Sequence, residues 1–314
     1  MADAPVPDHT PRLSHRLEYG ALRLLLGVLG ALPPRAAAEV GAWVGALGYA
    51  PLRIRRRVVE RQVAAAFPGL YNDSVQSIAR AAYSHIGREM VETMLLPARG
   101  PGAVLERFSG CDGWEHATSA MDAGRGLIIV SGHIGNWELA GSYVAARGIP
   151  LDVIVRRQSN PLFDGYIGRT RERIGMHVVY DADAVRRTPR ALRENRAVAF
   201  ISDQGVKGLA STFVPFFGRP AKTPRGPAVL ALRLDVPVVF AAAFRQPDGR
   251  YRMLFEPVLV ERTGDRDADV DAIVLRYTQA LERWVRRYPE QYFWHHRRWR
   301  RQPDDTPAEL REPG

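Results

Sequence analysis

The sequence predicts an α/β fold, a mixed and largely parallel sheet flanked by helices. Two observations carry that expectation. Short apolar runs of strand length recur near 126–131, 150–156, 176–180, 197–202, 236–243 and 251–259, and stretches with helical spacing fill the gaps between them. With 314 residues, 46% of them hydrophobic, the chain also has enough apolar content for one large domain or a domain plus an appendage, and one domain is expected. The organisation expected is a disordered tail over 1–15, a membrane-associated helical segment over 16–58, one domain over 59–302 and a disordered tail over 303–314.

Along the chain, 24–34 and 40–52 are uncharged apolar stretches separated by Arg35 and Glu39 and followed by Arg53-Ile54-Arg55-Arg56-Arg57. A spanning helix needs about 20 apolar residues, so neither stretch crosses a bilayer alone. Two short helices lying in or dipping into the membrane, with the arginines at anionic headgroups, suit the pattern. Tilted together they would make one span from Tyr19 onward, and a core helical hairpin is the reading without a membrane. A cleaved leader fits less well, because Asp3 and Asp8 make the start acidic and the arginines lie downstream, holding that end on the cytoplasmic side.

From 74 to 96 apolar positions recur at helical spacing. The run 127–130 then reads as a buried strand, and 136–148 as a helix, so His133 falls in the turn between them. Residues five apart in a continuous helix diverge by about 140°, but a histidine in a turn can meet a carboxylate in the first turn of the next helix. His133 and Glu138 are therefore a candidate catalytic pair, in which a carboxylate fixes the imidazole tautomer for proton removal from a hydroxyl. A structural histidine capped by a glutamate has the same spacing. Arg156 follows the strand near 150–156, Arg171 lies in a helical segment with Arg169 and Arg173, and Asp203 ends the run 198–201. Ligands in such sheets favour the carboxyl ends of strands, where His133, Arg156 and Asp203 emerge. Guanidinium forks bind phosphates, although three arginines on one helix also suit a solvated face. At Asp203 a carboxylate serves to orient a substrate or a positive partner, or simply makes a turn.

His133-x4-Glu138 after an apolar strand resembles the signature of glycerolipid and lipid A acyltransferases, and the glutamate form resembles the lipid A branch. Three further segments match in order: Val155-Arg156-Arg157-Gln158-Ser159-Asn160-Pro161-Leu162-Phe163-Asp164, Asp203-Gln204-Gly205 leading into Phe213-Val214-Pro215-Phe216-Phe217-Gly218, and Pro289-Glu290-Gln291-Tyr292-Phe293-Trp294-His295-His296-Arg297-Arg298. The chain departs from that pattern at Arg157, where proline is expected, and after Asp203-Gln204. The resemblance implies a glycerolipid-acyltransferase-like fold on the cytoplasmic face of an inner membrane. It implies acyl-carrier protein or acyl-CoA as donor and a lipid A precursor or a similar glycolipid, such as a phosphatidylinositol mannoside, as acceptor. Arg156, Asn160, Arg171, Asp203 and Gln204 are carried over as substrate-binding positions.

Forty-four Lys and Arg against 34 Asp and Glu give +10, and only Lys207 and Lys222 are lysine. So basic a chain suits an anionic partner such as anionic membrane lipids, though a GC-rich coding genome gives the same composition. The single Cys111 excludes an intrachain disulfide and a cysteine metal cage. His295 and His296 lack ligands at metal spacing, so no metal is expected. Without a Gly-x-Ser-x-Gly elbow, a Gly-x4-Gly-Lys loop or a Gly-x-Gly-x-x-Gly turn, neither an acyl-serine route nor a nucleotide cofactor is indicated. The aperiodic 213–217 run suits either the wall of an acyl pocket or core. The 292–301 run interleaves aromatics with cations, as at a membrane interface or a surface stacking on bases, and the apolar N-terminal region tilts this toward membrane rather than nucleic acid. A noncatalytic basic binding protein is the alternative from another class; it leaves His133 and Glu138 without a purpose.

Overall fold

The computed structural model describes residues 10–205 and 208–312, with only the backbone at 97 and 98. Of the tail expected over 1–15, residues 1–9 lie outside the described residues, and 13–15 are instead the first residues of a helix. The strands are β1 (Phe108–Asp112), β2 (Leu127–Ser131), β3 (Leu151–Val155), β4 (Met176–Tyr180), β5 (Ala197–Ile201), β6 (Ser211–Phe216), β7 (Arg219–Pro224), β8 (Val238–Arg245) and β9 (Tyr251–Val258). The helices are α1 (Leu13–Gly30), α2 (Pro34–Tyr49), α3 (Arg56–Ala66), α4 (Asn72–Leu95), α5 (Gly100–Glu106), α6 (Trp114–Asp122), α7 (Trp137–Ala146), α8 (Pro161–Arg173), α9 (Asp181–Arg193), α10 (Gly226–Leu234) and α11 (Arg266–Arg287).

Seven strands form one sheet in the order β1-β9-β8-β2-β5-β3-β4. The five strands β8, β2, β5, β3 and β4 run parallel, while β9 pairs antiparallel with β8 and carries β1 parallel to itself. Parallel strands are covered on both faces, which is why β2 reads as an unbroken apolar run. Its alternate side chains serve different cores: Ile128 and Val130 join the cluster with Val63, Leu232 and Leu281, and Leu127 and Ile129 join the one with Val104, Ala117 and Leu139.

All six strands expected from the sequence are present, and β1 and the β6–β7 hairpin are additional. Pro215, Pro220 and Pro224 mask the hairpin in the sequence, because proline cannot donate to a ladder and survives in strands chiefly at edges. Phe217 and Gly218 turn the chain with φ of 52° and 72°, the positive values that a two-residue hairpin turn demands. Val214 and Phe216 alternate into the core, and Phe217 packs edge-on against Phe67. These aromatics are core, not the wall of an open pocket.

The two N-terminal stretches form separate helices, broken after Gly30 by the Pro33-Pro34 pair, so a continuous span from Tyr19 is not formed. Among the described residues no helix is long and apolar enough to cross a membrane. Helix α2 crosses α4 at backbone contact. A Cβ on Gly45 would lie 2.1 Å from the Tyr83 carbonyl oxygen, and one on Gly87 2.1 Å from that of Gly41. The outer faces of α1 and α2 nevertheless leave Leu17, Leu24, Val28, Trp43 and Val44 exposed.

The aromatic and cationic run near 292–301 is not the exposed band its composition suggested. Trp294 and Trp299 are among the largest fully buried side chains, and Tyr292 and Arg298 are buried beside them. Nor are 303–312 the loose tail expected. Arg219 donates to the Glu309 and Arg311 carbonyls at 2.9 Å each, Arg297 pairs with Glu312, and Thr306 is buried.

Candidate active site

Strand β2 ends at Ser131, and the next five residues carry the chain across the carboxyl end of the sheet into α7. Backbone bonds clamp this loop from two directions. Phe293 donates to the His133 carbonyl at 2.9 Å, Gly135 donates to that of Gln291 at 2.8 Å, and Asn136 donates to that of Ala243 at 2.9 Å. Gly135 has φ +55°, and a Cβ there would lie 2.0 Å from the Ala243 carbonyl oxygen, so only glycine lets the loop lie against β8. Asn136 caps α7 by accepting from the Leu139 amide at 2.9 Å.

The carboxylate that meets His133 is Asp203, just past β5. Its Oδ1 lies 2.7 Å from the imidazole Nδ1, and its Oδ2 accepts from the His133 backbone N–H at 3.1 Å. An ionised carboxylate can only accept, so Nδ1 carries the hydrogen and Nε2 is left as the basic atom. The Gln204 side-chain nitrogen lies 3.2 Å from Nδ1. Burial alone would lower the His133 pKa, but Asp203, by charge and hydrogen bond, raises it, with smaller contributions from Glu138 and Glu89. Burial pulls Asp203 the other way, yet His133 and then Arg298 hold it far below the usual carboxylate range. Trp137 and Phe293 wall the imidazole, with ring centroids 5.0 and 6.0 Å away.

Glu138, expected to hold the imidazole, instead receives a bidentate clamp from Arg171, with Nε to Oε2 at 3.0 Å and Nη2 to Oε1 at 2.6 Å. The reason is helical direction. In the first turn of α7 its side chain points toward α8, which presents Arg171, whereas β5 lies beside β2 and delivers Asp203 to the histidine. A narrow crevice beside this clamp, lined by Leu96, Leu139, Ile174 and Met176 among others, is too tight to admit a water-sized group. A larger surface hollow beside Leu232, Arg262 and Arg266 shares no residue with the His133 loop.

Two other expected substrate ligands are committed elsewhere. Arg156 is 61% exposed and pairs with Asp181 at 3.1 Å. Asn160 caps α8, its oxygen accepting from the Leu162 and Phe163 amides, while its nitrogen donates to the His15 carbonyl at 3.1 Å and to Glu18 at 2.9 Å. Both halves of that amide are occupied in joining α8 to α1.

Several polar groups at the site escaped the sequence reading. Tyr292 is buried beside Asp203, and burial followed by that charge holds its hydroxyl pKa well above the ordinary value. Arg298, also buried, donates to the Lys222 carbonyl and the Thr223 hydroxyl at 2.7 Å each and places a positive charge behind Asp203. His295 and His296 are pushed down to about 4, chiefly by burial, and are neutral at pH 7. On α4, His85 and Glu89 are buried and 3.1 Å apart. The i,i+4 spacing of those two was the available signal, hidden in a helix legible mainly through its apolar positions.

Arranged in this way, the loop offers a partly exposed imidazole, oriented at Nδ1 by Asp203, at the carboxyl end of a parallel sheet. An imidazole held in this way can accept a proton from a hydroxyl. Comparison with known proteins gives a family. The profile of the family described as bacterial lipid A biosynthesis acyltransferase matches residues 9–301. Similar curated proteins include the lipid A biosynthesis lauroyltransferase of Escherichia coli, 25% identical with 86% of this chain and 87% of that protein covered. They also include the phosphatidylinositol mannoside acyltransferase of Mycolicibacterium smegmatis, 27% identical over 76% and 77%, and the E. coli lipid A biosynthesis palmitoleoyltransferase, 25% identical over 84% and 85%.

Proposed function

This chain belongs to the bacterial lipid A biosynthesis acyltransferase family, and we propose that it transfers a fatty acyl group from acyl-carrier protein or acyl-CoA to a hydroxyl of a lipid A precursor, with His133 as general base. The single observation that carries the mechanism is the His133 imidazole, 24% exposed, held at Nδ1 by Asp203. The acceptor hydroxyl gives its proton to Nε2 as its oxygen attacks the thioester carbonyl. The tetrahedral intermediate collapses, the C–S bond breaks, and the leaving thiolate takes the proton back from the imidazolium. Asp203 steadies that cation. Glu138 fixes Arg171, whose guanidinium suits a phosphate of donor or acceptor.

The relatives named for phosphatidylinositol mannosides support a second acceptor class of the same chemistry. The exposed apolar residues of α1 and α2, together with Leu52 and Ile54 among Arg53, Arg55 and Arg57, suit attachment to the cytoplasmic face of an anionic inner membrane. This edge adjoins the site. The Tyr83 hydroxyl donates to the Ile54 carbonyl, and the Tyr83 ring lies 4.3 Å from that of His295.

Mass spectrometry of lipids from a host expressing the wild-type chain or His133→Ala tests the reading. One lipid species gaining an acyl chain only with the wild type is the expected result, with turnover of the variant lowered at least ~1000-fold. Undiminished acylation by His133→Ala would discard His133 as the base.

A further inference from the structure

Strand β8 outruns its neighbour on the side of the His133 loop. It pairs with β2 only as far as Val130 and Phe240, so 241–245 run on with β9 on one flank and beyond the reach of β2 on the other. Backbone groups left there need other partners. The Ala243 carbonyl takes the Asn136 N–H at 2.9 Å. Arg245 is completed by a side chain: the Gln291 amide accepts from its N–H and donates to its carbonyl, each at 2.9 Å.

Gln291 is only 6% exposed, and its own backbone is bonded to the loop. Its carbonyl accepts from the Gly135 N–H at 2.8 Å, and two residues on the Phe293 N–H donates to the His133 carbonyl at 2.9 Å, with an antiparallel bridge between Ile134 and Tyr292 in the middle. The His133 N–H is meanwhile held by Asp203 at 3.1 Å. Both backbone polar groups of His133 are thus fixed, one by the end of β5 and one by the segment that Gln291 ties to β8. We propose that Gln291 is a positioning residue for His133, its amide setting the register in which the segment after α11 holds the loop over Asp203. This rests on the reading of His133 as the base. The amide is committed to Arg245, so Gln291 acts through the loop alone.

The chemistry of the position is narrow. A donor and an acceptor must stand side by side at the end of the chain, which a primary amide supplies. An apolar side chain of like volume leaves two backbone groups of Arg245 unpaired, and asparagine carries the same groups one methylene short. The other anchors of the segment do not use the amide. Tyr292 and Trp294 are buried, and the Trp294 Nε1 donates to the Pro289 carbonyl at 2.7 Å. Loss of the amide therefore loosens the loop and leaves the segment seated in the core.

The test measures kcat and KM with acyl-CoA and a lipid A precursor, and hydrogen exchange by mass spectrometry without substrate, in the full-length wild type, Gln291→Met and Gln291→Asn. Gln291→Met should lower kcat about 100-fold with KM little changed, and exchange should quicken in peptides over 132–137 and 289–295 but not over 126–131, which covers β2. Gln291→Asn should recover part of both losses. Wild-type kcat in Gln291→Met, a rise in KM alone, or exchange quickened equally in all three peptides would overturn the proposal. Should Gln291→Met fail to fold, Gln291→Asn carries the test, and wild-type exchange over 132–137 in that variant would overturn it. His133→Ala, run in parallel, separates the two readings: its full activity would remove the general base, while exchange in the Gln291 variants still reports whether the amide fastens the loop.

Discussion

Two carboxylates lie close to one imidazole, and they do different work. Asp203 comes from 70 residues away in sequence and bonds both the ring and the backbone of His133. Glu138 is five residues away and gives both of its oxygens to Arg171. Nearness in sequence thus picked out the carboxylate that anchors an arginine, while the adjacency of β5 and β2 supplied the one that orients the histidine. In a parallel sheet the partners of a strand-end residue come from neighbouring strands, and those are set by crossover connections rather than by chain proximity.

The sharpest way to break this contrast is to neutralise each carboxylate in turn. Asp203→Asn should lower kcat on the order of 1000-fold, because the amide no longer fixes the tautomer or stabilises the imidazolium. Its acid limb should also move to lower pH, as His133 loses the partner that raises it. Glu138→Gln should cost less, about 10- to 100-fold, corresponding to one charge-assisted hydrogen bond. It should move the limb in the same direction but by less, because Glu138 raises the His133 pKa less than Asp203 does, and Arg171→Lys should cost a similar factor in kcat, since an ammonium cannot reproduce the two-point contact. An Asp203→Asn enzyme more active than Glu138→Gln would reverse the assignment.

Stability should separate them as well. Asp203 has a lowered folded pKa, so its contribution is present above the ordinary aspartate range and fades as pH falls toward the folded value; His133 has a raised one, so the same ion pair fades as pH rises through it. The gap in thermal midpoint between wild type and Asp203→Asn should therefore be widest between about pH 4 and 6.5 and narrow on both sides. The smallest effect is expected far from both carboxylates. Trp43→Ala should weaken binding to anionic vesicles about tenfold, yet leave turnover of detergent-dispersed substrate unchanged.

Much of this architecture was readable in the chain. The six expected strands include the edge strand β4; they announce themselves through apolar runs, unbroken in Leu127 to Val130 and interrupted elsewhere by residues such as Asp152, His177 and Arg252. Strand β1 was silent, since Gly110 and Asp112 weaken its pattern at a sheet edge. The turn carrying His133 was legible from strand, glycine and helix in succession. What local pattern does not contain is burial brought from afar. Arginine beside tryptophan reads as a surface until the Thr223 hydroxyl is found taking a hydrogen bond from Arg298. Likewise Asn160 reads as a ligand until its amide is found on α1.

The clamp that Gln291 and Phe293 place on the His133 loop has a bearing on timing during synthesis. Helix α7 and strand β2 leave the ribosome roughly half a chain before the segment that fastens them, and domains generally begin to fold as they emerge. A nascent chain whose sheet is largely assembled would still have an unfastened His133 loop. Catalytic competence would then arrive late in translation, and a chain terminated before residue 291 would lack both the clamp on the loop and the core tryptophans Trp294 and Trp299.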